Sequence, residues 1–174
     1  MCTTLAPIFL VICLVLLITT SLFSTSNWAI KANFQAPFAD DIEYVVTSEY
    51  GERIDPITGE KAFHDGIDLS ASEGTDILAS YSGFVIETGY QEEGLGNYII
   101  IEHTIEGQIY RSTYGHLLDD SIIVSEGQRV DKNEKIATIG STGKSTGTHV
   151  HFMISEVKNN LEETINVIFL FEED

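Results

Sequence analysis

The chain contains little cysteine: Cys2 and Cys13 are the only two among its 174 residues, and both precede its charged part. From residue 14 onward no thiol is available to form a disulfide or to act as a nucleophile. The sequence also lacks a His-Glu-x-x-His motif, which excludes the helical zinc site in which a glutamate serves as general base.

Basic residues are scarce after residue 39. That part of the chain has 27 Asp and Glu against 8 Lys and Arg, a formal charge of −19 with neutral histidines. Such a surface cannot neutralise phosphates and repels anionic polymers, so nucleic acid is excluded as a partner. The acidic balance is typical of a solvated surface.

Charge is almost absent from the first 39 residues, in which Lys31 is the single charged side chain. Residues 5–23 form an uncharged apolar run, and a helix of about 20 residues crosses a bilayer. We therefore expect an N-terminal transmembrane helix within residues 1–23, a linker over residues 24–39 and the functional domain over residues 40–174. Because no basic residue precedes the run and no obvious cleavage site follows it, a single-pass anchor in the cell membrane is favoured over a cleaved signal peptide. Either alternative places the domain outside the cytoplasm, anchored or secreted.

After residue 39 the sequence shows no convincing helical stripe of three turns. Instead, β-branched and aromatic segments are separated by glycine, asparagine and aspartate, as in DILASYSGFVIETGY, NYIIIEHT, GQIYRSTYGHL and THVHFMISEV. This pattern predicts an all-β domain of short strands. The apolar tail TINVIFLFEED predicts a closing strand.

Two pairs of chemically active residues have even spacing. His149 and His151 are separated by one valine, and side chains two apart in a strand project from the same face. His64 and Asp68 are four apart and share a face if their segment is extended. Two such pairs on separate strands can face each other across a cleft.

These four residues could supply a zinc site. A catalytic zinc site uses three protein ligands and keeps one position open. His64, Asp68 and either His149 or His151 meet that count, and the remaining histidine is suited to proton transfer because its ordinary pKa is near neutrality.

The segments around these residues resemble a known family. The blocks SEYGERIDPITGEKAFHDGIDLSASEGTD, GNYIIIEH, YGHL and SEGQRVDKNEKIATIGSTGKSTGTHVHFMI are similar, in the same order, to the zinc metalloendopeptidases of the lysostaphin and LytM type. The similarity covers residues 46–154. It implies a compact antiparallel β-sheet or sandwich of the duplicated-hybrid-motif kind, one zinc ion (Zn²⁺), and hydrolysis of bacterial peptidoglycan peptides.

The resemblance also implies a role for each matching residue. His64 and Asp68 match the family's H-x3-D block, and His151 the second histidine of its H-x-H block, so these three are the implied metal ligands. His149 and His116, the histidine of YGHL, are the implied catalytic residues. Together they imply cleavage of peptide cross-links by metal-activated water; which histidine is the general base stays open.

Several other residues have more ordinary interpretations. His103 is interpreted as a strand histidine at the cleft wall or at the surface, without a role in chemistry, and Arg53 and Asp55 as braces for the loop ahead of the first ligand. Met153 stands where the family commonly has glutamate, which concerns packing and not the metal.

Two other functions are weighed against the endopeptidase. A non-catalytic relative would bind the cell wall or regulate another protein, but such relatives generally have lost ligands. A biotinyl or lipoyl carrier domain would need a modifiable lysine at a hairpin tip, which is not found. GSTGKSTG is no phosphate-binding loop, because Thr138 stands where its first glycine is required. The expected partners are peptidoglycan peptides and, through the N-terminal helix, the membrane; no protein partner is specified.

Overall fold

A computed structural model describes residues 30–171, and the compact unit that contains the five histidines begins at Gln35. Its strands are β1 (Val45–Ser48), β2 (Gly51–Ile54), β3 (Lys61–His64), β4 (Ile67–Ser70), β5 (Asp76–Leu78), β6 (Gly83–Gln91), β7 (Gly96–Ile105), β8 (Gln108–Leu117), β9 (Arg129–Val130), β10 (Lys135–Thr138), β11 (Val150–Lys158) and β12 (Leu161–Ile165). A short 3-10 helix follows at Ile168–Leu170.

Eight of these strands form one antiparallel sheet. Its order is β1-β4-β11-β8-β7-β6-β9, and β12 pairs with the second half of β11. The long central strands β7 and β8 are rich in isoleucine, threonine and tyrosine and are joined by the two-residue turn Glu106-Gly107, which favours direct antiparallel pairing. The predicted antiparallel β architecture is confirmed.

Alternate residues of the central strands form the core. Ile99 and Ile101 on β7, and Phe152 and Ile154 on β11, are fully buried, as the two-residue period of a strand requires. Further buried side chains come from β4, β5, β8 and β10: Ile67, Leu69, Ile77, Tyr114 and Ile136. The core thus fixes the strands that carry the site.

The even spacing of His64 and Asp68 suggested one extended segment, but the structure places the two residues on different strands. His64 is the last residue of β3, which pairs with β2 in a separate two-stranded sheet, whereas Asp68 lies on β4 in the main sheet. The connection Asp65-Gly66 turns the chain between them. Gly66 is needed there because a Cβ atom at this position would lie 2.7 Å from the His151 ring.

The segment DILASYSGFVIETGY also forms two strands, β5 and β6, interrupted at residues 79–82. The prediction of a closing strand over the whole C-terminal tail is wrong, because β12 ends at Ile165. The Asn166 side chain accepts a hydrogen bond from the backbone N–H of Ile168 (3.0 Å), which turns the chain out of the sheet and into the 3-10 helix.

The predicted transmembrane helix lies outside the described residues. Within residues 30–171, no helix is long and apolar enough to cross a membrane. Residues 30–33 of the predicted linker are helical.

Candidate metal centre and catalytic cleft

Three side chains from three strands converge on one point. Nε2 of His64 lies 3.0 Å from Oδ1 of Asp68 and 3.0 Å from Nδ1 of His151. Nδ1 of His151 lies 3.1 Å from the same Asp68 oxygen. The cross-strand register explains the meeting, because His151 on β11 stands directly opposite Asp68 on β4. All three residues are buried.

This donor set fits a zinc ion. Two imidazole nitrogens and one carboxylate oxygen are typical ligands of catalytic zinc, which keeps a fourth position open. Donor atoms about 2.1 Å from a tetrahedral ion are about 3.4 Å apart, close to the separations of 3.0 to 3.1 Å found here. The three residues that the sequence singled out are thus able to hold the metal.

Each histidine of this group is oriented by a hydrogen bond on its other nitrogen. Nδ1 of His64 donates to the backbone carbonyl of Glu49 (2.8 Å), so Nε2 is left as the lone-pair nitrogen. Nε2 of His151 lies 3.2 Å from Oδ1 of Asp65, so Nδ1 points to the centre. Such outer partners fix the tautomer of metal-binding histidines.

The carboxylate of Asp68 is also oriented by a contact with a residue outside the cluster. Its second oxygen, Oδ2, accepts a hydrogen bond from Nη1 of Arg53 (3.0 Å), which is also bonded to the Ser48 hydroxyl. Arg53 was interpreted as a brace for the preceding loop, but it contacts the candidate ligand itself. Oδ1 is thereby left facing the two histidines.

The titratable groups of the cluster shift one another's pKa values. Burial lowers the pKa of His151, but the hydrogen bonds to Asp65 and Asp68 outweigh this effect and raise the pKa to about 8. Burial alone would raise the pKa of Asp68, yet its bonds to His151 and His64 hold it well below its usual range. The carboxylate is therefore ionised and available as a ligand.

His116 lies beside this cluster at the end of β8. Its backbone has a positive φ of 60°, and its Nδ1 donates to the Thr142 carbonyl (2.8 Å). Burial, more than any charge, lowers the pKa of His116 to about 4. The ring is accordingly neutral near pH 7, with a lone pair on Nε2.

His149 precedes β11 and packs against His116, with ring centroids 4.6 Å apart. Its Nδ1 donates to the Gly147 carbonyl (2.7 Å), and its Nε2 lies 3.7 Å from Oδ1 of Asp68. His149 and His116 thus share one side of the cluster, each oriented by a backbone carbonyl. Neither supplies one of the three converging donor atoms.

The five residues open into a cleft of about 370 Å³. Its walls come from the β2–β3 hairpin, the β6–β7 turn and the connection between β10 and β11. The three walls together present polar and apolar groups, including Lys144 and Phe63. A cleft of this size suits a segment of peptide.

His103 is not part of the cleft. It is 1% exposed on β7, where its Nδ1 donates to the Ser82 carbonyl (3.0 Å) and its Nε2 lies 2.7 Å from the Ser112 hydroxyl. The expected position at the cleft wall or at the surface is therefore wrong: the ring is buried, and both of its nitrogens have polar partners there.

The sequence did not reveal two contacts of the site. The contact between Asp65 and His151 has no sequence signal, because spacing does not show which way a side chain between two candidate ligands points. The bond between the ammonium group of Lys144 and Oδ2 of Asp55 (2.6 Å) has no sequence signal either, because the two residues are 89 positions apart. Asp55 does brace its own turn, by accepting from the N–H groups of Ile57 and Thr58.

Comparison with known proteins places this cleft in a family. The sequence profile of peptidase family M23 matches residues 62–163, which include all five site residues. The chain belongs to peptidase family M23. The resemblance to lysostaphin- and LytM-type enzymes is thereby confirmed.

Two curated M23 relatives differ in what they are described to do. The chain is 36% identical over 110 residues to the peptidoglycan DD-endopeptidase ShyB of Vibrio cholerae, covering 63% of this chain and 24% of ShyB. It is 39% identical over 104 residues to the murein hydrolase activator NlpD of Escherichia coli, covering 60% of this chain and 26% of NlpD. The chain thus spans about a quarter of the length of each relative.

Solved M23 structures share the fold. A zinc-containing peptidase from Vibrio cholerae is 30% identical, with a TM-score of 0.64 over 82% of this chain and 40% of that one. The catalytic domain of the antimicrobial peptidase lysostaphin from Staphylococcus simulans is 29% identical, with a TM-score of 0.62 over 76% of this chain and 95% of that domain.

Proposed function

We propose that this chain is a zinc-dependent endopeptidase that cleaves peptide cross-links of bacterial peptidoglycan. One observation carries the proposal: two imidazole nitrogens and a carboxylate oxygen lie within 3.1 Å of one another. Each of the three side chains is oriented by a hydrogen bond or ion pair to an outer residue, and two further histidines line the same cleft. The similarity to the peptidoglycan DD-endopeptidase ShyB supports peptidoglycan as the substrate, and the similarity to the peptidase lysostaphin supports peptide hydrolysis. His64, Asp68 and His151 are the proposed ligands.

The proposed catalytic residues are His116 and His149. When bound, zinc supplies a Lewis acid that polarises a carbonyl group and makes water more acidic. Both histidines donate Nδ1–H to a backbone carbonyl, which leaves Nε2 of each ring for proton transfer. One ring takes the proton of the attacking water, and the other hydrogen-bonds the developing oxyanion or protonates the leaving amine.

Location is part of the same proposal. Peptidoglycan lies outside the bacterial cell membrane, and the apolar run at residues 5–23 would deliver the domain to that side, whether it is retained as an anchor or cleaved.

The proposal is tested on the full chain with purified peptidoglycan. Zinc-loaded protein is expected to release fragments with new amino termini, detected by mass spectrometry. Chelator-treated protein and the His151→Ala variant should release none. A zinc-loaded sample that releases no new termini, while its metal content is one ion per chain, contradicts the proposal.

A second candidate function follows from the similarity to NlpD. The chain would then activate a separate murein hydrolase and cleave nothing itself. The presence of all three donor residues and both histidines argues against this alternative. It would be supported by stimulation of a purified murein hydrolase that is equally strong with wild-type chain and with His149→Ala.

A further inference from the structure

Two of the three segments that line the cleft are joined by an ion pair. Nζ of Lys144, on the connection between β10 and β11, lies 2.6 Å from Oδ2 of Asp55, in the turn of the β2–β3 hairpin. Both residues line the cleft, and their side chains are 35% and 15% exposed. We call this pair the clasp.

The Asp55 end of the clasp is rigid. Oδ1 accepts from the backbone N–H groups of Ile57 (2.8 Å) and Thr58 (2.9 Å). The backbone of Asp55 is bonded as well, to Glu60 and Gly59, each at 2.8 Å. Because Oδ1 is used within the turn, Oδ2 is fixed in the direction of Lys144.

The Lys144 end is anchored through its backbone. Its N–H donates to the Gly94 carbonyl in the β6–β7 turn (2.9 Å). The preceding Gly143 has a positive φ of 68° and packs so closely on Gly96 that a Cβ atom would lie 2.2 Å from the Gly96 nitrogen. The side chain therefore reaches the hairpin from a fixed starting point, which reduces the entropy lost on pairing.

The hairpin held by the clasp is tied to its surroundings near its base, by Arg53 and His64, but it pairs with no strand of the main sheet. Strands β2 and β3 form a two-stranded sheet outside the main one, and such a pair alone is marginally stable. The exposed Ile57 and Phe63 of this hairpin line the cleft. Fixing its tip to the β10–β11 connection therefore fixes the spacing between two walls of the cleft.

We propose that the Asp55–Lys144 clasp sets the position of the β2–β3 hairpin over the cleft and thereby positions the substrate peptide. The inference rests on the proposed endopeptidase function. Asp55 and Lys144 are positioning residues: they act through the wall that contacts the substrate, and the reacting groups are the histidines described above.

The test uses the full chain with Lys144→Met, Asp55→Asn and the double variant. Asp55→Asn retains Oδ1 for the turn and removes the charge that faces Lys144. Lys144→Arg is the conservative rescue. Lys135→Met is the matched control, because it breaks another 2.6 Å ion pair, Lys135–Asp76, outside the cleft.

Hydrogen exchange over residues 51–64 reports on the hairpin independently of activity. Each single variant is expected to speed exchange there about two- to fivefold, as loss of a partly exposed ion pair would. The double variant should be no faster than either single variant, and Lys144→Arg and Lys135→Met should match wild type. Unchanged exchange, or additive effects of the two substitutions, would overturn the clasp.

Kinetics on peptidoglycan fragments then connect the clasp to the substrate. Lys144→Met and Asp55→Asn should raise KM by a similar two- to fivefold and change kcat less. Equal KM in wild type and both variants, with faster hairpin exchange, would overturn the positioning role. If no variant and no wild-type sample cleaves peptidoglycan, the proposed function fails and, with it, the role in positioning, whereas the exchange result still decides whether the clasp exists.

Discussion

The Asp65 carboxylate lies 3.2 Å from Nε2 of His151 and is the outer partner of that ring. It follows His64 directly in sequence, and its side chain is 58% exposed at the edge of the cleft. Asp65 is not buried. It would influence a bound cation because it contacts the candidate ligand His151.

We expect Asp65→Ala to weaken zinc binding about tenfold, the lower end of the range for outer-shell partners, because the carboxylate is solvated. The substitution removes both the bond that orients His151 and a negative charge near the cation. Asp65→Asn, which keeps an oxygen acceptor, should have a smaller effect. Competition with a chromophoric chelator measures the Kd. Glu73→Ala removes an exposed acid elsewhere and is the control; the same Kd for both alanine variants would contradict the role of Asp65.

The five site residues could be found in the sequence because their motifs are short and local. The spacing of His149 and His151 reports a shared face, and the neighbouring blocks link them to His64, Asp68 and His116. The family resemblance then supplied the division between ligands and catalytic residues, which spacing left open. The structure brings together the three donors that this division requires.

The remaining features depend on tertiary contacts that no local pattern encodes. The pairing of Lys144 with Asp55 joins positions 89 residues apart. The end of β12 is set by one asparagine side chain within an apolar tail, where hydrophobicity alone predicts a longer strand. The break after His64 depends on the close approach of Gly66 to His151.

The proposed catalytic residues, His116 and His149, should be separable by experiment from the proposed metal ligands. We expect His149→Ala and His116→Ala to lower kcat about 10²- to 10⁴-fold, the usual contribution of general acid–base groups, with one zinc ion per chain retained. His64→Ala should lose the metal together with activity. Metal analysis and kinetics on the same preparations make the comparison. Loss of zinc from His149→Ala would instead identify His149 as a ligand.

Gly66 gives a prediction about the shape of the site. A methyl group at this position would lie 2.7 Å from ring atoms of His151 and from the Phe152 carbonyl, so Gly66→Ala must displace the ring or the β3–β4 connection. We expect zinc affinity to fall at least tenfold and stability to drop by about 1–3 kcal/mol, as for other overpacked sites. Gly147→Ala is the matched control, because nothing lies within 4 Å of its added Cβ. Equal zinc affinity and stability in the two variants would contradict this explanation.

The buried ring of His103 leads to a prediction of how the free energy of unfolding depends on pH. Burial lowers the pKa of His103 to about 4, against 6.5 for an exposed histidine. Between these values the unfolded chain binds more protons than the folded protein, so the free energy of unfolding rises with pH across this window. The stabilisation is complete above about pH 6.5 and is lost as the pH falls towards 4, by up to about 3 kcal/mol.

Denaturant unfolding of wild type and His103→Gln at a series of pH values checks this dependence. The variant should be less stable at pH 7, because the bonds to Ser82 and Ser112 are altered, but it should lose less stability on acidification. His116→Gln is the control for the second histidine with a pKa lowered to about 4. Subtracting each variant's pH dependence from that of wild type isolates one ring, since the other titrating groups are shared. Parallel curves for wild type and His103→Gln would show that His103 is protonated without cost in the folded protein, against its burial and its hydrogen bonds.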